Sequence, residues 1–188
     1  TDVLPALALT FRPHPDVAFR LSASQTLSRP EYRELAPIQY REVLGFDNVL
    51  GNPDLRRALV QNYDARWEWY PRVGEVFSVA AFVKRFSDPI ERVYRGSSGT
   101  RIITFVNALG AHNVGIELEG RKTLDFISDR LSSFSLSANA TVMRSEIRIT
   151  GSSLAVTNGQ RRMVGQAPYV VNAGLTWNST SGVGSATI

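Results

Sequence analysis

Apolar residues alternate with small or polar ones at period two over seven stretches of the chain, the signature of strands with one apolar face. The first stretch, residues 3–11, sets Leu7, Leu9 and Phe11 against Ala6, Ala8 and Thr10. The second, 17–27, sets Val17, Phe19, Leu21 and Ala23 against Arg20, Ser22 and Ser24. In the third, 63–70, Ala65, Trp67 and Trp69 oppose Asp64, Arg66 and Glu68. The fourth, 75–86, is apolar on both faces, and is phased here with Phe77, Val79, Ala81 and Val83 outward. In the fifth, Ile116 and Leu118 oppose Gly115, Glu117, Glu119 and Arg121. The sixth alternates Phe134, Leu136, Ala138, Ala140 and Val142 with Ser135, Ser137, Asn139 and Thr141. The seventh sets Tyr169, Val171, Ala173, Leu175 and Trp177 against Asn172, Gly174, Thr176 and Asn178, and an eighth begins at Ser185.

The connections alternate too. Those at 12–16, 71–74, 125–133 and 179–184 are short, whereas 28–62, 87–113 and 145–167 are long. Every second strand end therefore lies on one side, as in a membrane barrel with tight turns on one side and long loops on the other. Strands of about nine to eleven residues cross a bilayer when tilted. Aromatics recur at the short turns (Phe11, Phe19, Trp69, Tyr70, Phe126, Phe134, Trp177), the placement of an interfacial girdle. The outward faces carry no charge in mid-strand. The pattern predicts an all-β fold, an antiparallel transmembrane β-barrel segment of seven to eight strands occupying residues 1–188. A soluble β-sandwich with long loops shares much of it, since per-strand barrel signals are weak.

Composition removes several classes. No run of 18 apolar residues exists to form a transmembrane helix. The absence of cysteine excludes a disulfide framework and thiol chemistry. A net charge of +4 with interspersed signs gives no basic block for nucleic acid, so Arg56-Arg57 and Arg161-Arg162 read as solvated loop. His14 and His112 stand apart without a metal-ligand spacing. Gly96-Ser97-Ser98-Gly99 lacks the strand-to-helix frame of a nucleophile elbow. The sequons at Asn139 and Asn178 read as chance matches within strands. No cofactor is expected, and the chain is read as a non-enzyme. The chain starts without methionine and stops within a strand, so an internal piece of a longer protein is expected.

A series of motifs then carries a resemblance. It runs from Ser24-Gln25-Thr26-Leu27-Ser28-Arg29-Pro30-Glu31-Tyr32-Arg33-Glu34-Leu35 through Gly51-Asn52-Pro53-Asp54-Leu55 to Asn62-Tyr63-Asp64. It continues with Phe82, Asp88-Pro89-Ile90-Glu91, Asn107, Gly115-Ile116-Glu117-Leu118-Glu119 and Gly165-Gln166-Ala167-Pro168-Tyr169 with Asn172. In this order, over almost the whole chain, they resemble the later barrel region of TonB-dependent outer-membrane receptors.

The resemblance implies a bacterial outer-membrane location and a monomeric barrel of about 22 strands. It also implies an N-terminal plug domain, a partner TonB complex, and uptake of a siderophore-iron, cobalamin or oligosaccharide ligand. Plug, TonB-contacting segment and terminal aromatic strand are not found in these residues, and the basic pI of 9.8 departs from the acidic external surface expected. Asp64, Arg66, Glu68, Glu117, Glu119 and Arg121 are expected to face the lumen and pair with one another or with the plug. Tyr32, Tyr40, Tyr94 and Arg95, in the long segments, are the candidate ligand contacts through stacking or charge. A passive porin and a soluble carbohydrate- or protein-binding sandwich are the alternatives.

Overall fold

The computed structural model describes residues 2–41, 47–95, 101–149, 158–179 and 183–188. The strands are β1 (Ala6–His14), β2 (Val17–Ser28), β3 (Gln39–Tyr40), β4 (Asn48–Leu50), β5 (Ala58–Trp69) and β6 (Val76–Ser87). They continue with β7 (Ile90–Arg95), β8 (Ile102–Asn107), β9 (Gly110–Thr123), β10 (Phe134–Arg148), β11 (Gln160–Arg161), β12 (Tyr169–Asn178) and β13 (Ser185–Thr187). One short helix, α1 (Tyr32–Leu35), lies between β2 and β3.

Eight strands form an antiparallel wall in the order β1-β2-β5-β6-β9-β10-β12-β13, with β11 added against β10. Each sequential pair is joined in register, and the registers place every outward residue in a lateral row. Leu9, Leu21, Ala65, Ala81, Ile116, Val142 and Tyr169 form one such row across seven strands. Because side chains alternate at period two, that row fixes the outward phase of the whole wall, including the ambiguous β6. Phe77 and Ala81 are exposed there while Ser78 is 1% exposed on the opposite face.

The apolar band has measurable edges. On the long-loop side the outward row Gln25, Gln61, Arg85, His112, Glu146 ends it. On the short-turn side aromatic pairs Phe11–Phe19, Trp69–Phe77 and Phe134–Trp177 close it, with Lys122 outward on β9. From His112 to Lys122 is about 34 Å of strand at about 3.4 Å per residue. A tilt of about 40° projects that length to roughly 26 Å, the height of a lipid-facing band. The row that passes through Ala23, Tyr63, Val83 and Val114 ends on Arg144, so the band slants across the rows as tilted strands require.

The long segments differ from the expectation of plain loops. Residues 28–62 and 87–113 contribute β3, β4, β7 and β8 to a second sheet of order β3-β4-β8-β7, with β4 parallel to β8. Strands of two or three residues show no readable alternation, and β4 finds its parallel partner β8 some fifty residues away. The wall strands β5, β9 and β10 also run further than their alternation indicated, because β9 and β10 pair without a break from Thr123–Ser135 to Gly110–Arg148. The mid-length turn 125–133 holds two single 3-10 turns, Leu124–Phe126 and Asp129–Leu131. Residues 96–99 and 180–182, and with them the glycine-serine stretch and the second sequon's Thr180, lie outside the described residues.

Candidate functional site

The inward face of the wall carries an ordered charge network. Glu68, 6% exposed, accepts hydrogen bonds from Arg20 Nε at 2.8 Å and from Arg66 Nε at 2.9 Å. Arg66 Nη2 also donates to Glu119 at 2.6 Å, and the Ser78 hydroxyl lies 3.5 Å from the same carboxylate oxygen. The register explains the cluster: Glu68 and Ser78 stand side by side, as do Ser78 and Glu119, while Arg20 stands beside Arg66 one pleat away. Two neighbouring cations thus straddle a carboxylate that satisfies both. Further along, Ser22 donates to Asp64 at 3.2 Å and Asn172 to Asn139 at 2.8 Å. Of the residues expected to face the lumen, Asp64, Arg66, Glu68, Glu117 and Glu119 share this face. Arg121 lies at its short-turn end, in register with Val76.

Above this face the long segments fold into a cap. Val49, Leu55 and Phe105 are buried together, with Leu35, Tyr40, Ile90 and Ile103 packed around them. Each fully buried Val, Leu or Phe contributes about 1.5–3 kcal/mol, which offsets the marginal stability of strands this short. The other face of the β7–β8 hairpin puts Val93 and Val106 against Phe86, Ala111, Ile147 and Ile149. On β6, β9 and β10 these are inward positions, so the hairpin lies over the inward side of the wall.

Side chains latch the cap in place. Asn107 Oδ1 accepts from the Arg56 backbone N–H at 2.8 Å, and its Nδ2 donates to the carbonyls of Arg56 and Asp88 at 2.8 and 2.7 Å. Asp88, at φ 53°, accepts from Arg56 Nη2 at 3.0 Å, a left-handed conformation that Asp tolerates better than most residues. Asn52 Nδ2 donates to the Phe105 carbonyl at 2.9 Å, tying β4 to β8. Arg161 Nη2 donates to the buried Glu91 at 2.8 Å, tying the third long segment to β7. Gly51 is required by close approach: a Cβ there runs into the Ala36 carbonyl oxygen. The sequence shows Gly51-Asn52-Pro53-Asp54 as turn chemistry, but nothing in it marks Asn107 or Glu91 as fasteners.

The four candidate ligand contacts fall in three places. Tyr32, 94% exposed, opens α1 and lines a groove of about 840 Å³ with Arg29, Glu31, Arg33 and Arg57. Arg57 Nε donates to Asp2 at 2.6 Å, and this hydrogen bond holds the Asp2 carboxyl below the usual carboxylate range. Tyr40 packs against the cap core. Tyr94, 44% exposed, has the Arg101 guanidinium 5.8 Å from its ring, and Arg95 follows it, exposed, at the end of β7. Tyr94 and Arg95 are neighbours at the end of β7, on opposite faces of the strand. Among the described residues no group of three or more His, Cys, Asp or Glu side chains is placed to hold a metal ion.

Comparison with known proteins agrees with this architecture. The family model described as TonB dependent receptor-like, beta-barrel matches residues 1–186. The chain belongs to that family, and its apolar face is the lipid-embedded surface of a bacterial outer-membrane barrel. Among solved structures, the siderophore receptor PirA from Pseudomonas aeruginosa is 18% identical at a TM-score of 0.62, the match covering 93% of this chain and 27% of that one. A mutant of the ferric enterobactin receptor PfeA from Pseudomonas aeruginosa, in complex with enterobactin, is 19% identical at 0.62, covering 95% and 26%. The copper transporter OprC is 14% identical at 0.63, covering 92% and 24%. The chain spans about a quarter of the length of these receptors. No curated protein matches it.

Proposed function

We propose that residues 1–188 are part of the wall of a larger, plugged barrel of about 22 strands that imports a scarce nutrient by TonB-coupled transport. The observation that carries this reading is the cap: a latched second sheet folded over the inward side of a lipid-facing wall. Such a cap narrows an opening and presents side chains to what enters it, whereas a simple pore needs only a clear lumen. Siderophore receptors and a copper transporter among the structural neighbours favour siderophore-bound iron or another metal cargo over cobalamin or an oligosaccharide. In this reading the long segments 28–62, 87–113 and 145–167 face the exterior. Tyr94 with Arg95, and Tyr32 from the neighbouring segment, contact the ligand by stacking and charge, while Tyr40 supports them from the cap core. The inward network around Glu68 is already neutralised, so the plug meets the wall mainly through exposed groups such as Glu117. No catalytic step is assigned.

The test uses the complete polypeptide in cells. Removing residues 90–107 is expected to abolish uptake of the cognate ligand, and changing Tyr94 and Arg95 to Ala is expected to weaken binding about tenfold while the barrel still assembles. Discharging the proton gradient is expected to stop uptake of bound ligand. Uptake that persists without the gradient makes the protein a passive porin. Unchanged affinity in the double variant removes Tyr94 and Arg95 from the ligand surface.

A further inference from the structure

The lipid-facing row that passes through Trp69 and Phe77 changes size abruptly. Across the registers it continues through Gly120, Ala138 and Ala173, so two large rings stand beside three positions with little or no side chain. The result is an outward apolar groove of about 340 Å³, walled by Trp69 and Phe77, with Gly120 and Ala138 as its floor and Leu136 at its short-turn end. Trp67 packs edge-on against Phe77 at 6.0 Å between ring centroids, which fixes that wall. Nothing in the backbone demands glycine at 120, whose φ is not positive. A Cβ built there meets only the edge of the Phe77 ring, at 3.9 Å, so a side chain fits at this position and fills the groove.

Towards the short turns the groove opens on a charged cluster. Glu75, one residue before β6, continues the register to stand beside Lys122. It lines the groove at 3% exposure, and its Oε2 has no hydrogen-bond partner among the described residues. Its Oε1 accepts from the Thr123 N–H at 3.3 Å. Lys122 Nζ and Arg72 Nε lie 3.5 and 3.6 Å from Oε2, which balances its charge without a hydrogen bond. Arg72 is engaged by Asp125 at 2.5 Å, whereas Lys122 is half-exposed and rests over the Phe126 ring. A lysine free to turn outward and a buried carboxylate oxygen that lacks a donor thus stand side by side where the apolar band ends. A buried acceptor of this kind calls for a partner.

We propose that this groove seats one phospholipid from the leaflet on the short-turn side, of the class whose headgroup carries a phosphate and a primary ammonium. One acyl chain lies on Gly120 and Ala138 beside the Phe77 ring and covers their apolar surface. Lys122 turns from Glu75 to the phosphate, a charge-assisted contact. The ammonium takes the place that Lys122 leaves and donates to Glu75 Oε2. A zwitterion thereby meets an ion pair, cation to anion on both sides, and the charge of the cluster stays balanced. A phosphate without an amine leaves the carboxylate uncovered, and a quaternary ammonium has no N–H to donate. The assignment depends neither on transport nor on which compartment the short turns face.

The experiment takes the complete receptor in mild detergent and titrates it with phosphatidylethanolamine, phosphatidylcholine or phosphatidylglycerol of identical acyl chains, with bound lipid counted by native mass spectrometry. Wild type is compared with Gly120→Leu, which fills the groove, and with Lys122→Gln. Ala81→Leu, which adds apolar bulk at an exposed lipid-facing position outside the groove, is the control. Heat-modifiable gel mobility checks that each variant is folded. Wild type and Ala81→Leu are expected to hold one phosphatidylethanolamine about tenfold more tightly than either other lipid, since a charged hydrogen bond is worth about a decade of affinity. Gly120→Leu is expected to lose this bound lipid, and Lys122→Gln to bind it about tenfold more weakly. Equal binding of the three lipids by wild type overturns the proposal, because the groove then takes any acyl chain. So does unchanged phosphatidylethanolamine affinity in Gly120→Leu or in Lys122→Gln.

Discussion

Ala138 and Asn139 are adjacent in the chain but face different media, and the registers say what each would meet. Ala138 stands in an outward row between Gly120 and Ala173, at the middle of the apolar run from Phe134 to Val142. Asn139 stands inward between Glu119 and Asn172. An arginine at Ala138 is placed in hydrocarbon, which costs about 2–4 kcal/mol near the bilayer midplane. An arginine at Asn139 meets the Glu119 carboxylate and solvent. Ala138→Arg is therefore expected to lower the folded yield from urea, read by heat-modifiable gel mobility, well below that of Asn139→Arg. Equal damage from both changes would mean a sheet buried on both faces.

At the scale of elements, the cap and the wall are joined by few fasteners, so one can be disturbed without the other. Gly51 is the sharpest of them: a methyl group there runs into the Ala36 carbonyl and comes within 2.9 Å of the Arg33 carbonyl, neither of which can swing aside. Gly51→Ala is expected to part α1 from β4 and open the core around Leu55, which is 8% exposed. A cysteine placed at Leu55 then reports the change, with maleimide reaction several-fold faster in the Gly51→Ala background. The wall, whose ladders do not include Gly51, is expected to keep its gel mobility. Slow labelling in both backgrounds would show that the cap tolerates the shift.

At the scale of the whole molecule the prediction is sidedness, which puts the two ends of the strands in different compartments. Tyr32 and Val73 are both fully open, at 94% and 104%, yet they lie at opposite ends of the strands. If the long segments face outward, a cysteine at Tyr32 in the complete receptor reacts with an impermeant maleimide on intact cells. One at Val73 reacts only after the outer membrane is broken. The reverse pattern turns the barrel over.

Alternation every second residue was enough, from sequence, to locate the wall strands and their outward faces, because a lipid-facing strand exposes its period directly. The rhythm of short and long connections was enough to group their ends on two sides. Even the phase of β6, apolar on both faces, followed from choosing Phe77 and Ala81 as outward, and the register with Ala65 and Ile116 agrees. The cap was not legible. Its strands are too short to show a period, β4 pairs in parallel with a distant β8, and its fasteners are single polar side chains such as Asn107 and Glu91. The same holds for the candidate contacts: residue type suggested Tyr32, Tyr40 and Tyr94 alike. Only packing separated Tyr40, held against the cap core, from the exposed Tyr32 and Tyr94. Local periodicity determined the wall; long-range pairing, which depends on where a chain returns rather than on what it contains, decided the cap and the grooves around it.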